Sequence, residues 1–330
     1  MTTPLVRFAR VGSHQVPWAA AGSGPPLIAG GWWCCDLEQE WQMSAFRDFM
    51  TRLAGGVTLV RYGRASGPSL DEQLATIDAI VRQVGAPVSL LGASSGGCIS
   101  ATYAAMYPDQ VDRLVLYGAY GYGAEITTPE AQASIVDILA RHWGVGSRFL
   151  AELFLPDATA AERQEFIRFQ RATMSPQVAA ASLQAVYKFD VREHLPRVQA
   201  PTMVLHRRAD RVVPFRLGRA VAAQIPDATL VALDGANHMP WLGESDAVIE
   251  HIFRFVGVAK SSTADTTSSL SARELDVLRL VAAGLSDHEI AQRLNLSAHT
   301  VHRHVANIRT KLGLPSRTAA AAHAARSGLI

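Results

Sequence analysis

The segment Ser297–Lys311 constrains the fold of this chain more than any other stretch of its sequence. Apolar side chains recur along it at helical spacing, at Val301, Val305, Ile308 and Leu312. That spacing predicts a helix with one buried face, and Ser297 is placed to cap its first turn. The preceding residues 289–294 predict a shorter helix that ends in a turn at Leu296. Two helices joined in this way, with a donor-rich outer face, are typical of a helix-turn-helix that enters a DNA major groove.

Hydrogen-bond donors and positive charge are concentrated in this region. The candidate DNA-binding residues are Thr300, Val301, His302, Arg303, His304, Asn307, Arg309, Lys311 and Arg317. Residues 268–330 hold eight Lys and Arg against four Asp and Glu, whereas the rest of the chain holds 23 against 25. The basic excess therefore lies where the release of counterions from duplex DNA favours binding.

The sequence of residues 270–324 closely resembles the LuxR-type DNA-binding domain. The matching positions are Leu270-Ser271, Arg273-Glu274, Val277-Leu278, Glu289-Ile290-Ala291, Ser297, Thr300-Val301, His304, Asn307-Ile308, Lys311-Leu312 and Arg317. The resemblance implies a small all-α domain over residues 270–330 whose partner is double-stranded operator DNA. One departure is His302, where the family commonly has a lysine. Either Arg303 supplies the phosphate contact at this point, or the contact is weaker and depends on pH.

Length and cysteine usage bound the class of protein. A chain of 330 residues exceeds the size at which a single core stops growing, roughly 250–300 residues, and so predicts two domains. Its three cysteines, Cys34, Cys35 and Cys98, do not make a disulfide framework. We interpret the adjacent pair as packing rather than as a redox or soft-metal sensor. Because the sequence has no signal-peptide pattern and no apolar run of the ~20 residues that span a bilayer, we expect a cytoplasmic protein with no membrane contact, no metal and no cofactor.

Before residue 258, apolar runs that predict strands alternate with segments of helical period. The predicted strands are residues 8–11, 16–20, 27–29, 57–61, 88–91, 114–117, 202–206 and 230–233, and the predicted helices are 41–53, 70–84, 95–106, 215–224 and 244–256. This alternation predicts an α/β fold with a parallel sheet covered on both faces. Residues 124–197 are helical throughout and predict a cap over the carboxyl edge of the sheet. The small polar residues 258–269 predict a flexible linker between this domain, residues 1–257, and the one at 270–330.

Three residues with the chemistry of a serine hydrolase follow three of these strands. Ser94 lies in Gly-Ala-Ser-Ser-Gly-Gly between a strand and a helix, which is the setting that a nucleophile elbow requires. Asp210 and His238 follow the next-to-last and the last predicted strand. The chain order Ser, Asp, His, with each residue in a loop after a strand, is that of the α/β-hydrolase fold.

Residues 8–257 therefore resemble the α/β-hydrolases. The resemblance implies Ser94 as the nucleophile, His238 as the general base and Asp210 as the residue that orients the imidazole. Two departures concern the surroundings of this triad. Ala29 stands where the family usually has a histidine before Gly30, and residues 61–67 lack the aspartate that is common there. These departures leave efficient turnover open, while a formed pocket is still expected.

Aromatic residues are the candidates for the turn and the pocket beside the triad. The predicted oxyanion donors are Ser95, Trp32 and Trp33, and the predicted ligand-pocket residues are Trp32, Trp33, Trp143 and Phe149. The backbone N–H of Ser95, at the start of a helix, is placed to face a developing oxyanion. For each aromatic residue, ordinary core packing remains an equal alternative to lining a cavity.

The two domains together favour a regulator that senses a small molecule. The leading hypothesis is a cytoplasmic transcription factor, expected to be a homodimer, whose pocket binds an ester, a lactone or a related acyl effector. Ordering of the pocket around that effector would change how the DNA-binding domains meet two half-sites. The alternative is an active serine hydrolase, an esterase or lactonase, with an accessory DNA-binding domain. In an intermediate version Ser94 hydrolyses the effector slowly, so that the signal resets itself.

Overall fold

The computed structural model describes residues 5–63, 69–85, 87–258, 270–294, 296–312, 314 and 316–326. The chain divides into two compact units, Met1–Ala259 and Lys260–Ile330. The linker expected at residues 258–269 lies, apart from Val258, outside the described residues, and its flexibility stays a prediction. Among the helices described, none has the length and apolar character that crossing a membrane requires.

An eight-stranded sheet forms the centre of the first unit. Its strands are β1 (Val6–Val11), β2 (His14–Ala21), β3 (Pro26–Gly30), β4 (Thr58–Tyr62), β5 (Val88–Ala93), β6 (Val111–Tyr117), β7 (Thr202–Arg207) and β8 (Thr229–Leu233). They lie in the order β1-β2-β4-β3-β5-β6-β7-β8, and β3 to β8 are parallel, as the sequence predicts. The hairpin of β1 and β2 is antiparallel, because its two-residue loop can join only antiparallel strands. Every residue of β5 and β7 is buried, as expected for strands covered on both faces.

Ten helices are described in this unit. They are α1 (Leu37–Gln42), α2 (Ser44–Leu53), α3 (Leu70–Val84), α4 (Ser95–Met106), α5 (Pro129–Arg141), α6 (Trp143–Phe154), α7 (Ala160–Thr173), α8 (Pro176–Lys188), α9 (Phe215–Gln224) and α10 (Ser245–Phe255). The single helix predicted at 41–53 is instead two helices, because Met43 has an extended backbone between them. Asp36 starts the first of the two by accepting the N–H groups of Glu38 and Gln39. Helices α5 to α8 follow one another between β6 and β7 and form the cap.

Helix α9 packs its backbone directly on a buried side chain of the sheet. A Cβ at Gly218 would lie 2.0 Å from Nδ1 of His206, which is fully buried in β7. We therefore expect Gly218→Ala to lower the free energy of unfolding of this unit by about 3 kcal/mol. The measurement is urea unfolding followed by tryptophan fluorescence, since all six tryptophans lie in the first unit.

A helical glycine with free space provides the matched control for this substitution. A Cβ at Gly144 in α6 would meet only Nη2 of Arg171, at 3.8 Å. Gly144→Ala should therefore stabilise the unit, by roughly 0.5–1 kcal/mol, through the lower backbone entropy of alanine in the unfolded chain. Effects of the same sign at the two glycines would contradict the packing described for α9.

The second unit is a small bundle of four described helices. They are α11 (Ala272–Ala282), α12 (Asp287–Leu294), α13 (Ala298–Leu312) and α14 (Arg317–Arg326). Their common core is made of Leu270, Val277, Leu278, Val281, Ile290, Ala291, Val301, Val305, Ile308, Ala320 and Ala324. Ser297 caps α13, as its position predicts, by accepting the N–H of Thr300 at 3.1 Å.

Candidate active site and nucleic-acid interface

Ser94 forms a strained turn between β5 and α4. Its backbone has φ 54° and ψ −125°, a left-handed conformation that costs a residue with a Cβ about 1–2 kcal/mol. The turn also needs close packing, because a Cβ at Gly96 would lie 2.7 Å from the carbonyl oxygen of Gly30. The Ser94 side chain, half-buried, lines a cavity of about 200 Å³. This geometry is that of a nucleophile elbow.

Asp210 and His238 form the buried acid–base pair of the site. Nδ1–H of His238 donates to Oδ2 of Asp210 at 2.7 Å, and Oδ1 of Asp210 accepts the N–H groups of Val212 and Val213 at 2.8 and 3.1 Å. Burial by itself would raise the pKa of Asp210. The charge of His238, its hydrogen bond and the N–H of Val213 outweigh burial and hold that pKa below its ordinary value. The ionised Asp210 therefore holds a ring proton of His238 on Nδ1 by accepting its hydrogen bond.

The ring nitrogen of His238 that is expected to act as the base makes no hydrogen bond with the described residues. Nε2 of His238 is buried and has no hydrogen-bond partner among the described residues. The described contacts therefore pair Asp210 with His238 and include no hydrogen bond between Ser94 and His238. Gly118, which has a φ of 54°, lies directly against this pair: a Cβ there would be 3.1 Å from Cε1 of His238 and 3.5 Å from Oδ2 of Asp210. Gly118 was not identified from the sequence. A glycine directly after a buried strand is nevertheless a signal that other groups approach the backbone closely there.

A second histidine, His206, lies next to Asp210 and holds its turn in place. Nε2–H of His206 donates to the carbonyl oxygen of Val213 at 2.8 Å and lies 3.7 Å from Oδ2 of Asp210. Burial lowers the pKa of His206, so the ring is neutral at physiological pH. His206 therefore holds the turn at 210–213 through its hydrogen bond to Val213.

The cap is fastened to the loop that carries His238. The N–H of His238 donates to the carbonyl oxygen of Phe154 at 2.7 Å. Oδ2 of Asp157 accepts the N–H of Ala236 at 2.8 Å, and Oδ1 of Asn237 accepts the N–H of Asp157 at 3.0 Å. Phe154 ends α6 and Asp157 follows it, so the end of this cap helix is hydrogen-bonded directly to the loop that carries His238. Nothing local in the sequence pairs these segments, because they lie about 80 positions apart.

The cavity beside Ser94 is mainly apolar. Its lining is Trp33, Ser94, Ser95, Ile126, Thr127, Ile135, Phe149, Leu150, Leu153, Phe154, Leu183, Val186, Tyr187, Arg211, Val212 and Val213. The sequence-predicted pocket residues Trp33 and Phe149 are among them. Trp32 and Trp143 do not line this cavity, and Trp32 packs instead against Phe46 and Trp241. The cap supplies most of the lining, and Arg211 is the one charged side chain among the described residues that line this cavity.

The turn expected to hold an oxyanion is anchored by a buried carboxyl group. The N–H of Ser95 begins α4 and donates to no atom of the described residues, which suits an oxyanion donor at a helix start. In the facing turn, Nε1–H of Trp32 donates to Oε1 of Glu40 at 2.8 Å. Trp33 faces the cavity and donates its Nε1–H to Gln170 at 3.2 Å. The oxyanion roles of these residues stay predictions.

Glu40 makes the stability of the first unit depend on pH. Burial raises the pKa of Glu40 to about 7 despite its ion pair with Arg61. A folded-state pKa above the unfolded value of 4.5 means that stability is full below pH 4.5 and is lost as the pH rises through 7. Relative to Glu40→Gln, wild type should lose about 3 kcal/mol of unfolding free energy between pH 5 and pH 8. Urea unfolding at several pH values measures this difference, and parallel pH profiles would contradict it.

The candidate DNA-binding residues of the second unit differ in accessibility. His302, Arg303 and Asn307 are exposed on α13, and Thr300, His304 and Arg309 are half-buried. Burial lowers the pKa of His304, so its ring is neutral at physiological pH. The exposed residues form a donor-rich face, while Val301, predicted for the same surface, is fully buried. Its place in the core corrects that prediction, because a side chain with no exposure is not available to DNA.

Two of the predicted cationic contacts are engaged inside the unit. Nζ of Lys311 donates to Oε2 of Glu274 at 2.8 Å, and the Glu274 side chain is only 4% exposed. Arg317 pairs with Asp287 and donates to the carbonyl oxygen of Leu285. These contacts tie α11 to α13 and α12 to α14, so both cations have a structural role whether or not they also meet phosphate.

Family comparisons match both units. A family model described as serine aminopeptidase, S33, matches residues 67–246, more than half of the chain. A model described as bacterial regulatory proteins, luxR family, matches residues 268–324. The expected α/β-hydrolase fold followed by a LuxR-type helix-turn-helix domain is thereby confirmed.

Individual relatives match the first unit. A pimeloyl-[acyl-carrier protein] methyl ester esterase from Vibrio vulnificus is 24% identical over 258 residues, 74% of this chain and 99% of the relative. An esterase of the same name from Neisseria meningitidis is 26% identical over 216 residues, 61% of this chain and 83% of the relative. Among solved structures, an esterase from Exiguobacterium antarcticum has a TM-score of 0.67 and 19% identity, covering 77% of this chain and 100% of its own. An enol-lactonase from Burkholderia xenovorans has a TM-score of 0.62 and 19% identity, covering 76% and 100%. At these identities the solved structures show the fold alone.

Proposed function

We propose that this chain, which belongs to the serine aminopeptidase S33 family and carries a luxR-family DNA-binding domain, is a transcriptional regulator controlled by a small acyl ester or lactone. The ligand enters the cavity beside Ser94, and its binding changes the affinity of the second unit for operator DNA. The observation that carries this proposal is the apolar cavity under a cap that is hydrogen-bonded to the His238 loop. Such a cap can couple occupancy of the cavity to a change of conformation.

The chemistry of the cavity supports an acyl compound as the ligand. Apolar cap residues suit an acyl chain, while Ser94 and Ser95 place polar groups at one end. A carbonyl group at that end would accept from the N–H of Ser95. The relatives named for a methyl ester esterase activity and the lactonase of the same fold support esters and lactones as the first compounds to test.

We further propose a cytoplasmic homodimer that reads two half-sites, as helix-turn-helix regulators do. The exposed face of α13, with His302, Arg303 and Asn307, would enter the major groove. Sedimentation of the full chain with and without a palindromic duplex tests the dimer. If the chain is a monomer with and without the duplex, it binds half-sites singly, and the proposed homodimer is wrong.

DNA binding and ligand binding are best tested together on the full chain. Fluorescence anisotropy compares duplexes from the promoters beside its own gene with random duplex, in the presence of methyl esters and lactones of increasing chain length. We expect preference for one promoter fragment and at least a tenfold change in its affinity with the active compound. Equal affinity for every duplex, with or without compounds, would leave an esterase with no regulatory role.

Arg303→Ala tests the proposed face of α13. Arg303 is exposed and has no ion pair with the described residues, so its loss should leave stability unchanged. We expect weaker operator binding and a salt dependence of log K reduced by about one unit for one lost phosphate contact. Replacing the exposed Arg254 of α10, outside the second unit, is the control for a general loss of charge. An unchanged salt slope in Arg303→Ala would remove this residue from the interface.

A second candidate function, slow hydrolysis of the effector, is favoured by one observation. The Asp210–His238 pair is buried and hydrogen-bonded, in the arrangement that orients an imidazole as a general base. A receptor that only binds its ligand has no need of this pair. If hydrolysis occurs, the regulator consumes its own effector. Replacing Ser94 by alanine distinguishes hydrolysis of the effector from binding alone.

A further inference from the structure

A second cavity in the first unit holds a buried arginine. The cavity measures about 240 Å³ and lies between β2, β4 and α2. Its lining is Ala19, Ala20, Ala21, Gly22, Trp41, Met50, Thr51, Ala54, Gly55, Leu59 and Arg61. It shares no lining residue with the cavity beside Ser94. Arg61 is the only charged residue among the described residues of this lining, and the others are apolar residues, glycines and one threonine.

The arginine is fixed in place and incompletely bonded. Arg61 is 4% exposed, and its guanidinium lies 4.6 Å from the ring centre of Trp41 and 5.3 Å from that of Phe46. Nη1 donates to Oε2 of Glu40 at 3.1 Å. Within the described residues, neither Nε nor Nη2 of Arg61 has a hydrogen-bond partner. A guanidinium presents its five donors in a rigid fork that matches a carboxylate, so two or more donors remain for a ligand.

The charge balance at this point also favours an anion. Glu40 is the only carboxylate paired with Arg61 among the described residues. Because burial raises the pKa of Glu40 to about 7, this carboxyl group is only partly ionised near neutral pH. Burial lowers the pKa of Arg61 as well, but a guanidinium stays protonated in proteins, so Glu40 balances its positive charge only in part. A buried cation in an apolar cavity is costly unless it is paired, so an anionic ligand would be strongly preferred over a neutral one of the same shape.

We propose that this cavity is a second small-molecule site, which binds a short aliphatic carboxylate with its head group on Arg61 and its chain against α2 and β2. The volume holds on the order of eight water molecules at ~30 Å³ each, which suits a chain such as that of hexanoate. Glu40 also accepts from Trp32, in the turn facing Ser95, so a chain of two hydrogen bonds connects Arg61 to that turn. This site requires neither catalysis by Ser94 nor binding of DNA.

Hexanoate titrated into the full chain by calorimetry is the test, with hexan-1-ol as the uncharged ligand of similar length. Ala54→Leu fills the cavity and leaves the pair of Arg61 and Glu40 intact, so it should weaken hexanoate binding at least tenfold. Arg61→Lys keeps the positive charge but loses the planar pair of N–H donors that binds both oxygens of a carboxylate, and it should weaken hexanoate binding several-fold. Arg211→Gln changes the cation of the other cavity and should leave the affinity for hexanoate unchanged. Tryptophan fluorescence, which includes Trp41 in the lining, confirms that the variants are folded.

Four outcomes would overturn the site. They are no binding of hexanoate at millimolar concentration, equal binding of hexan-1-ol, an affinity unchanged by Ala54→Leu in a folded protein, and a loss of affinity in Arg211→Gln. The last result would place the carboxylate in the cavity beside Ser94. Tighter binding of hexanoate than of hexan-1-ol, lost in Ala54→Leu and kept in Arg211→Gln, supports the site.

Discussion

Ser94→Ala is expected to abolish ester hydrolysis by the full chain while leaving ligand binding in place. Removing the nucleophile of a serine hydrolase lowers kcat by on the order of 10⁴–10⁶-fold, since the base then has no hydroxyl group to deprotonate. The cavity keeps its apolar lining, so thermal stabilisation by the same ester should persist. The measurement is product formation and thermal unfolding in one sample, for wild type and variant.

The same substitution decides whether hydrolysis belongs to signalling. If binding alone controls DNA affinity, Ser94→Ala responds to the ester as wild type does, and its response does not decay as ester is consumed. If the variant binds the ester but no longer changes its DNA affinity, a covalent or hydrolytic step is part of the signal. Turnover that survives in the variant would remove Ser94 from the proposed chemistry.

Ser94→Gly provides a control that lacks the same hydroxyl group but differs from Ser94→Ala in its effect on stability. Serine at position 94 has a φ of 54°, which alanine shares at the same cost and glycine adopts freely. Both variants should lack turnover, but the glycine variant should unfold with about 1–2 kcal/mol more free energy than the alanine variant. Equal stability of the two would mean that the turn carries no strain.

Lys311→Met is expected to destabilise the second unit by about 1–3 kcal/mol, because it leaves the buried Glu274 without its cation. The bond from Nζ to Oε2 is 2.8 Å long, and the carboxylate side chain is 4% exposed. A unit of this size has little stability to spare, so the loss should be visible as faster hydrogen exchange in α11 to α14. Tryptophan fluorescence does not report this change, because the second unit has no tryptophan.

A double variant separates the structural role of Lys311 from a DNA contact. Lys311→Met with Glu274→Gln removes both charges and should recover part of the lost stability, since glutamine still reaches the N–H of Ser271 as Glu274 does. If Lys311 acts only within the fold, the recovered double variant has the salt slope of wild type. A slope lower by about one unit, as expected for Arg303→Ala, would show that Lys311 also neutralises a phosphate.

The position of each candidate catalytic residue relative to a strand could be predicted from local patterns. Buried strands are marked by short apolar runs, and Ser94, Asp210 and His238 lie in the loops that follow three of them. Parallel strands bring their carboxyl ends to one edge of a sheet, so proximity followed from topology. The helix-turn-helix was equally readable, because the spacing of Val301, Val305 and Ile308 fixes the buried face. That same spacing should have kept Val301 out of the DNA contacts.

Other features were decided only by tertiary structure, since they depend on contacts between segments far apart in the chain. The bonds from the cap to the His238 loop, the His206 support beneath Asp210 and the pair of Glu40 with Arg61 leave no periodic signal. The sequence around Lys311 is the same whether its side chain binds a phosphate or Glu274. A periodic pattern determines which face of a helix or strand is buried, but the partner of a polar side chain depends on which other segment folds against it.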